Sequence, residues 1–289
     1  MNVYEIITSR ILEKLEKGVV PWSQPWNAET DMPRNLSTKK PYRGINIWLL
    51  LGHGYTSPFW VSFKQSKRLG GSIKKGEKGT PVVFWKWLDE KNPEEPNPEG
   101  QGKPPQKRAP LLRYYRVFNV EQTTIPQEKL PVIENPSGTS FTPLEKCEKI
   151  VCEMPDKPAI HKGGAGAFYR PSRDLVTVPG PEAFKFAEEY YSTLFHELSH
   201  ATGHPSRLDR KTITDIAPFG SPSYSREELI AEIGAAFLCG TAGIENVTIE
   251  NSAAYIKGWL KVLESDNKMI VIASSRAQKA AEYILGDKP

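Results

Sequence analysis

Cysteine is scarce in this chain. Cys147, Cys152 and Cys239 are too few and too scattered for a disulfide framework. That sets the expectation of a reduced, cytoplasmic setting in which each thiol acts as a small buried hydrophobe. Long apolar runs are also missing. None approaches the roughly 20 residues that span a bilayer, so no membrane partner is expected. The stretch "MNVYEIITSRILEKLEKG" lacks the continuous apolar core of a signal peptide, because Glu5, Arg10 and Glu13 interrupt it. Its period is helical instead, with Ile6, Ile7, Ile11, Leu12 and Leu15 on one face and Gly18 as the stop. No internal repeat is visible.

Acidic residues are under-represented in one half only. Residues 1–125 carry 20 Lys and Arg against 12 Asp and Glu, a net +8, whereas residues 126–289 carry 18 against 22, a net −4. A length of 289 residues suits two domains, and the asymmetry implies that the first faces a polyanion. Residues 89–110, rich in Pro, Glu, Lys and Gly, have no apolar periodicity and bury too little surface to order themselves. The runs flanking them, "TPVVFWKWL" and "LLRYYRVFNV", alternate as paired strands do. The insertion is therefore read as a long hairpin tip inside a first domain over 1–125. A Pro-rich linker over 126–143 leads to a second domain over 144–289. The expected fold class is α+β: a mixed α/β front domain, then a mainly helical one with a small β-sheet.

Six of the seven Trp (22, 26, 48, 60, 85 and 87) lie in the basic half. Aromatic rings interleaved with cations are what single-stranded nucleic acid requires, since bases stack on rings and Lys and Arg follow the phosphates. No recognition helix or ribbon for a duplex groove is evident. The contact set expected here is aromatic (Trp22, Trp26, Tyr42, Trp60), cationic (Arg34, Arg43, Lys64, Lys74, Lys75, Lys86) and amide-bearing (Asn35, Asn46, Gln65). The competing reading makes many of these rings core, above all Trp48 in an apolar helix and one of Trp85 and Trp87. In "KKGEKG", Lys74, Lys75 and backbone amides would meet phosphate.

The acidic half contains "YYSTLFHELSHATGHPSRLDR". Positions i and i+4 share a helix face, so His196 and His200 aim two imidazoles at one ion. Glu197 then reaches a water beside it, as a hydrolytic metal site needs. Two histidines leave the ligand set incomplete, and three candidates can finish it. His204 is nearest, but a continued helix carries it a turn past the ion. Glu228 and Glu232 in "SYSREELIAEIGAAF" are four apart on one face of an otherwise apolar helix. Tyr224, one turn before Glu228, is either an oxyanion donor or a packing residue. Gly163, Gly164 and Gly166 fit no nucleotide motif; they suggest a loop beside a substrate groove. His161 is read as a surface residue.

Two resemblances sharpen this reading. The His-Glu-x-x-His helix followed by the Glu228/Glu232 helix is similar to the gluzincins. That likeness implies Glu228 as third ligand and Glu232 as the acid that hydrogen-bonds a ligand histidine. It implies Zn2+, favoured by imidazole and carboxylate donors, with Mn2+ as the alternative. More broadly, "VPWSQPW", "RNLSTKKPYRGINIWLL", "FWVSFKQSKRLGGSIKKGEKGTPVVFWK" and "YYRVFNVEQ" resemble the N-terminal domain of ArdC-type plasmid antirestriction proteins, a domain shared with a conjugative primase. "FYRPSRDLVTVP", the histidine helix and "SREELIAEIGAAFLC" resemble that family's zincin-like metallopeptidase domain. The resemblance implies a single-stranded-DNA-binding domain joined to a metallopeptidase. It also implies protection of incoming plasmid DNA from restriction during conjugation. The protein substrate is unnamed by the sequence; the expectation is one that is DNA-bound or part of a restriction system. The non-enzymatic alternative is a DNA-coating protein whose metal site is structural or vestigial.

Overall fold

The computed structural model describes residues 2–23, 32–89, 108–131, 143–214, 222–246 and 253–287. The first helix, α1 (Val3–Glu16), starts on a capping box: the Asn2 side chain accepts the Glu5 amide at 2.9 Å and Glu5 accepts the Asn2 amide at 2.7 Å. Its apolar stripe buries Ile7, Ile11 and Leu15. Gly18, at φ 73°, turns the chain out of the helix. Next come β1 (Arg34–Asn35), α2 (Ile45–Leu51), β2 (Phe59–Ser62), α3 (Phe63–Arg68), β3 (Thr80–Asp89) and β4 (Arg108–Asn119). The strands form a sheet in the order β1-β2-β4-β3, antiparallel except for β1 with β2. The β3–β4 ladder runs from Thr80↔Val117 out to Asp89↔Arg108. The low-complexity segment thus joins two paired strands; its residues 90–107 lie outside the described residues. On the outer edge of β3, Asn46 on α2 accepts the Val83 amide at 2.8 Å and donates to the Val83 carbonyl at 2.9 Å, satisfying one backbone pair there as a neighbouring strand would.

The second half opens with α4 (Pro143–Glu153). A small sheet follows, from β5 (Ala159–Lys162), β6 (Phe168–Arg170) and β7 (Leu175–Val178) in the order β5-β7-β6. Then come α5 (Ala187–Ala201), the short α6 (Lys211–Thr214), α7 (Pro222–Ala242), α8 (Ala253–Ser265) and α9 (Met269–Ile284). Residues 227–240 of α7 are all buried. This helix is the central post, packed mainly between α5 and α9. Cys147 and Cys239 are buried as expected of small hydrophobes, but Cys152 is exposed, on the open side of α4. Among the described residues no helix is long and apolar enough to cross a membrane.

The two sequence halves do not keep separate cores. One cluster joins Ile7, Ile11, Trp22 and Trp48 to Phe237, Trp259 and Ile270. Trp22 meets Trp259 edge-on at 5.4 Å, and Trp48 lies 4.8 Å from Phe237. The Thr8 hydroxyl donates to the Asn267 carbonyl at 2.6 Å, and Asn246 donates to the Trp22 carbonyl at 3.3 Å. The helical part of the first half therefore packs as an outer layer of the second.

Candidate metal centre and nucleic-acid face

Helices α5 and α7 lie side by side, and the candidate ligands face each other between them. His196 and His200 stand one turn apart on α5 with their Nε2 atoms 3.1 Å apart. Glu228 reaches in from α7, placing Oε2 3.4 Å from His196 Nε2 and Oε1 3.6 Å from His200 Nε2. Donors about 2.0–2.1 Å from one tetrahedral ion sit about 3.3 Å from each other, and these three spacings bracket that value. The donor set, two imidazole nitrogens and one carboxylate, suits a borderline-soft divalent cation.

The charge of the site agrees. Burial opposes protonation of His196, yet the Glu228 hydrogen bond and the Glu197, Glu228 and Glu232 charges outweigh it and raise its pKa to about 10. His200 is also held above its ordinary value: burial works against it, and Glu228 and Glu227 more than compensate. Burial alone would raise Glu228, but the His200 and His196 interactions and a hydrogen bond from Tyr224 bring it below the usual carboxylate range. A site this rich in carboxylate draws positive charge.

A cleft of about 870 Å³ opens over the centre. Its walls include Glu197, Tyr224, Glu232, the Gly164–Ala167 loop and, from β6, Phe168 and Tyr169. Strand β6 is an edge of the small sheet, and its Phe168 and Tyr169 line the cleft. Glu232 is 1% exposed, and its charge acts on His196. His204 lies outside this cluster: beyond the end of α5, its Nδ1 sits 2.8 Å from the Ser206 hydroxyl. Gly203 does more than stop the helix. A Cβ there would fall 2.6 Å from Ile213 and 3.0 Å from the Arg210 guanidinium, so its bareness lets the chain fold Arg210 back under α5.

That arginine, and its partner, are what the sequence reading missed. Glu227 is 4% exposed, and its Oε1 lies 3.4 Å from His200 Nδ1, on the far side of the ring from Glu228. Arg210 donates to it at 2.5 Å, and the Thr212 hydroxyl donates to its other oxygen. The only sequence signal is the doublet Glu227-Glu228 in an apolar helix.

The expected nucleic-acid contacts divide sharply. Trp22 is 0% and Trp60 2% exposed; both are core, and neither offers a ring face to a base. Asn46 is committed to the edge of β3. Asn35 and Gln65 bond each other at 3.1 and 3.3 Å, and Tyr42 is buried in the packing of Trp60 and Val82. Trp26 lies outside the described residues. Arg34 is half-buried, and Lys64, Lys75 and Lys86 are exposed. Lys74 donates to the Glu121 carbonyl at 2.7 Å, and Arg43 pairs with Glu282. Accessible rings appear elsewhere, on the β3–β4 ribbon: Phe84, Trp85, Tyr114 and Tyr115 are between 38% and 46% exposed. Phe84 and Tyr115 meet edge-on at 5.7 Å, on the ribbon face that strand alternation and register give also to Lys86 and Arg113. Neighbouring aromatics in an alternating strand point to opposite faces, and that signal was available in "VVFWKW" and "LLRYYRV".

Residues 1–118 match the N-terminal domain of anti-restriction factor ArdC, and residues 145–276 match a zincin-like metallopeptidase. Two DNA primases TraC of Escherichia coli are 34% and 36% identical over 98% of this chain, which spans only 20% and 27% of their length. The uncharacterized protein y4eC of Sinorhizobium fredii is 33% identical over 98% of this chain and 91% of its own. Crystal structures of antirestriction ArdC from plasmid R388, metal-free and Mn(II)-bound, are 33% identical with TM-scores of 0.77 and 0.75. Each covers 99% of this chain and 98% of that one. Two matching domains in the same order, and similarity end to end with a solved member, place the chain in the ArdC antirestriction family, with a zincin-like second domain.

Proposed function

We propose that this protein binds single-stranded DNA through its first half and hydrolyses a peptide bond at the His196–His200–Glu228 centre, protecting incoming plasmid DNA from restriction. The observation that carries the reading is the convergence of those three donors beside Glu197 in an open cleft. His196, His200 and Glu228 would hold Zn2+, with Mn2+ as the alternative. When bound, the cation would supply Lewis-acid polarisation of a carbonyl and would lower the pKa of a water. Glu197 takes the proton of the attacking water and returns it to the leaving amine. Tyr224, at the cleft wall, bonds Glu228 in this structure and would turn its one hydroxyl proton to the developing oxyanion. The β6 edge offers backbone groups to an extended peptide. A protein substrate that is DNA-bound or part of a restriction system fits a protease that its own first half carries to DNA. On that half, stacking would fall to Phe84 and Tyr115, with phosphates met by Lys86, Arg113, Lys64 and Lys75.

The test compares Glu197→Ala with Phe84→Ala/Tyr115→Ala for survival of transferred DNA in a restricting recipient. Both variants should lose protection, while only the second loses affinity for single-stranded DNA. Full protection by Glu197→Ala would refute the peptidase and leave a DNA-coating protein.

A further inference from the structure

We infer that Glu227 is a positioning residue for the metal centre: it fixes His200 as a ligand, and Arg210 and Thr212 hold it in place to do so. The inference rests on the metal-site reading above. An imidazole offers a lone pair to an ion only when the opposite nitrogen carries the proton, and a buried carboxylate at that nitrogen selects this tautomer and fixes the ring. Glu227 Oε1 stands 3.4 Å from His200 Nδ1, while His200 Nε2 faces His196 and Glu228. The carboxylate is itself immobilised. Arg210 bonds it through Nη2 at 2.5 Å and Nε at 3.3 Å, and Thr212 donates to Oε2. The same guanidinium donates to the Thr202 hydroxyl at 2.6 Å and the Ser199 carbonyl at 2.7 Å. One buried arginine thus ties the end of the histidine helix to the residue beside the third ligand.

A merely structural ion pair would make a different prediction. Glu227→Gln keeps the shape and an acceptor oxygen but removes the charge. If Glu227 only joins α5 to α7, that variant loses thermal stability and binds metal as the wild type does. If it orients His200, Mn2+ affinity falls about 10–100-fold in a protein whose circular dichroism is unchanged. Mn2+ titration followed by electron paramagnetic resonance reads this without any assay of activity. Thr212→Val, at a half-buried position, removes one anchor and should weaken Mn2+ by less than about tenfold; it serves where Glu227→Gln fails to fold. Unchanged Mn2+ affinity in whichever of these variants is folded overturns the inference. A wild type that takes up no Mn2+, or a His196→Ala protein that binds it undiminished, overturns the metal-site reading, and this inference with it.

Discussion

Arg207 shows how single residues brace the cleft. It bonds Asp174, the Tyr169 hydroxyl and the carbonyls of Ala201 and Asp156, so it joins the end of α5 to the β6–β7 turn. Asp174 sits in the left-handed region at φ 46°, which Asn adopts as readily, so Asp174→Asn isolates the charge. Burial tends to raise the Asp174 pKa, but hydrogen bonds from Arg207 and Tyr169 and the Arg207 charge take it below its ordinary value. A depressed carboxylate stabilises the fold above its unfolded pKa, and that contribution is lost as pH falls through the folded one. The stability gap between wild type and Asp174→Asn should therefore be constant from neutral pH to about 5, begin to narrow below about 4 and shrink further as the pH falls through the depressed folded pKa. Urea unfolding at several pH values measures it, and a gap at about pH 3 as wide as at neutral pH would contradict the assignment. At this scale, spacing alone made His196 and His200 legible, because a helix returns to the same face every four residues. Glu228 was legible once likeness to gluzincins was added. Glu227 was not: consecutive helix residues diverge by about 100°, and only the packing shows two adjacent side chains wrapping to opposite edges of one imidazole.

The helix pair sets the spacing of the ligands. His200 comes from α5 and Glu228 from α7, and the two helices approach closely because Gly234 has no side chain. A Cβ there would lie 2.6 Å from Ser199 Oγ and 3.0 Å from Ser199 Cβ. Gly234→Ala gains about 1 kcal/mol of helix propensity, but overpacking costs about 1–3 kcal/mol. The expected net effect is a loss of stability together with weaker Mn2+ binding, as the helices part. Adding Ser199→Ala removes the closer clash and should recover part of both, a coupling that a double-mutant cycle reads directly. A more stable Gly234→Ala protein with unaltered metal affinity would show that the interface has slack. Elements like these were largely readable in the chain. The first helix stops ahead of Gly18 as its apolar period requires, Trp48 does lie in an apolar helix, and the two alternating runs around the Pro-rich insertion do pair. That α7 meets the histidine helix α5 followed from the expected ligand set; that its other side packs on α9 was not readable, because the rest of the helix is apolar all round and names no partner.

At the scale of the whole molecule, the basic and acidic halves differ in composition but share their largest hydrophobic cluster. The sequence suggested a division at the Pro-rich linker because charge and Trp content change across it. Surface composition, however, carries no information about which buried faces meet. Trp22, expected to face DNA, instead packs on Trp259, and α1 lies against α8 and α9. Binding of a Pro-flanked indole to a base and its burial in a core leave the same mark in a sequence; the structure chooses the second. Several consequences follow from one shared core. The intact chain should unfold in a single cooperative transition seen alike by near-UV circular dichroism and calorimetry. Trp22→Ala, by opening a cavity beside Trp259, should cost about 3–5 kcal/mol and should lower the protection of α8 and α9 amides from hydrogen exchange as much as that of α1. Its effect on DNA affinity at a temperature where it remains folded should be small, because the ring is not at the surface. Two separated transitions, or α8 and α9 amides that keep full protection in Trp22→Ala, would mean that the halves are independent after all. The metal centre would then owe nothing to the packing of the first half.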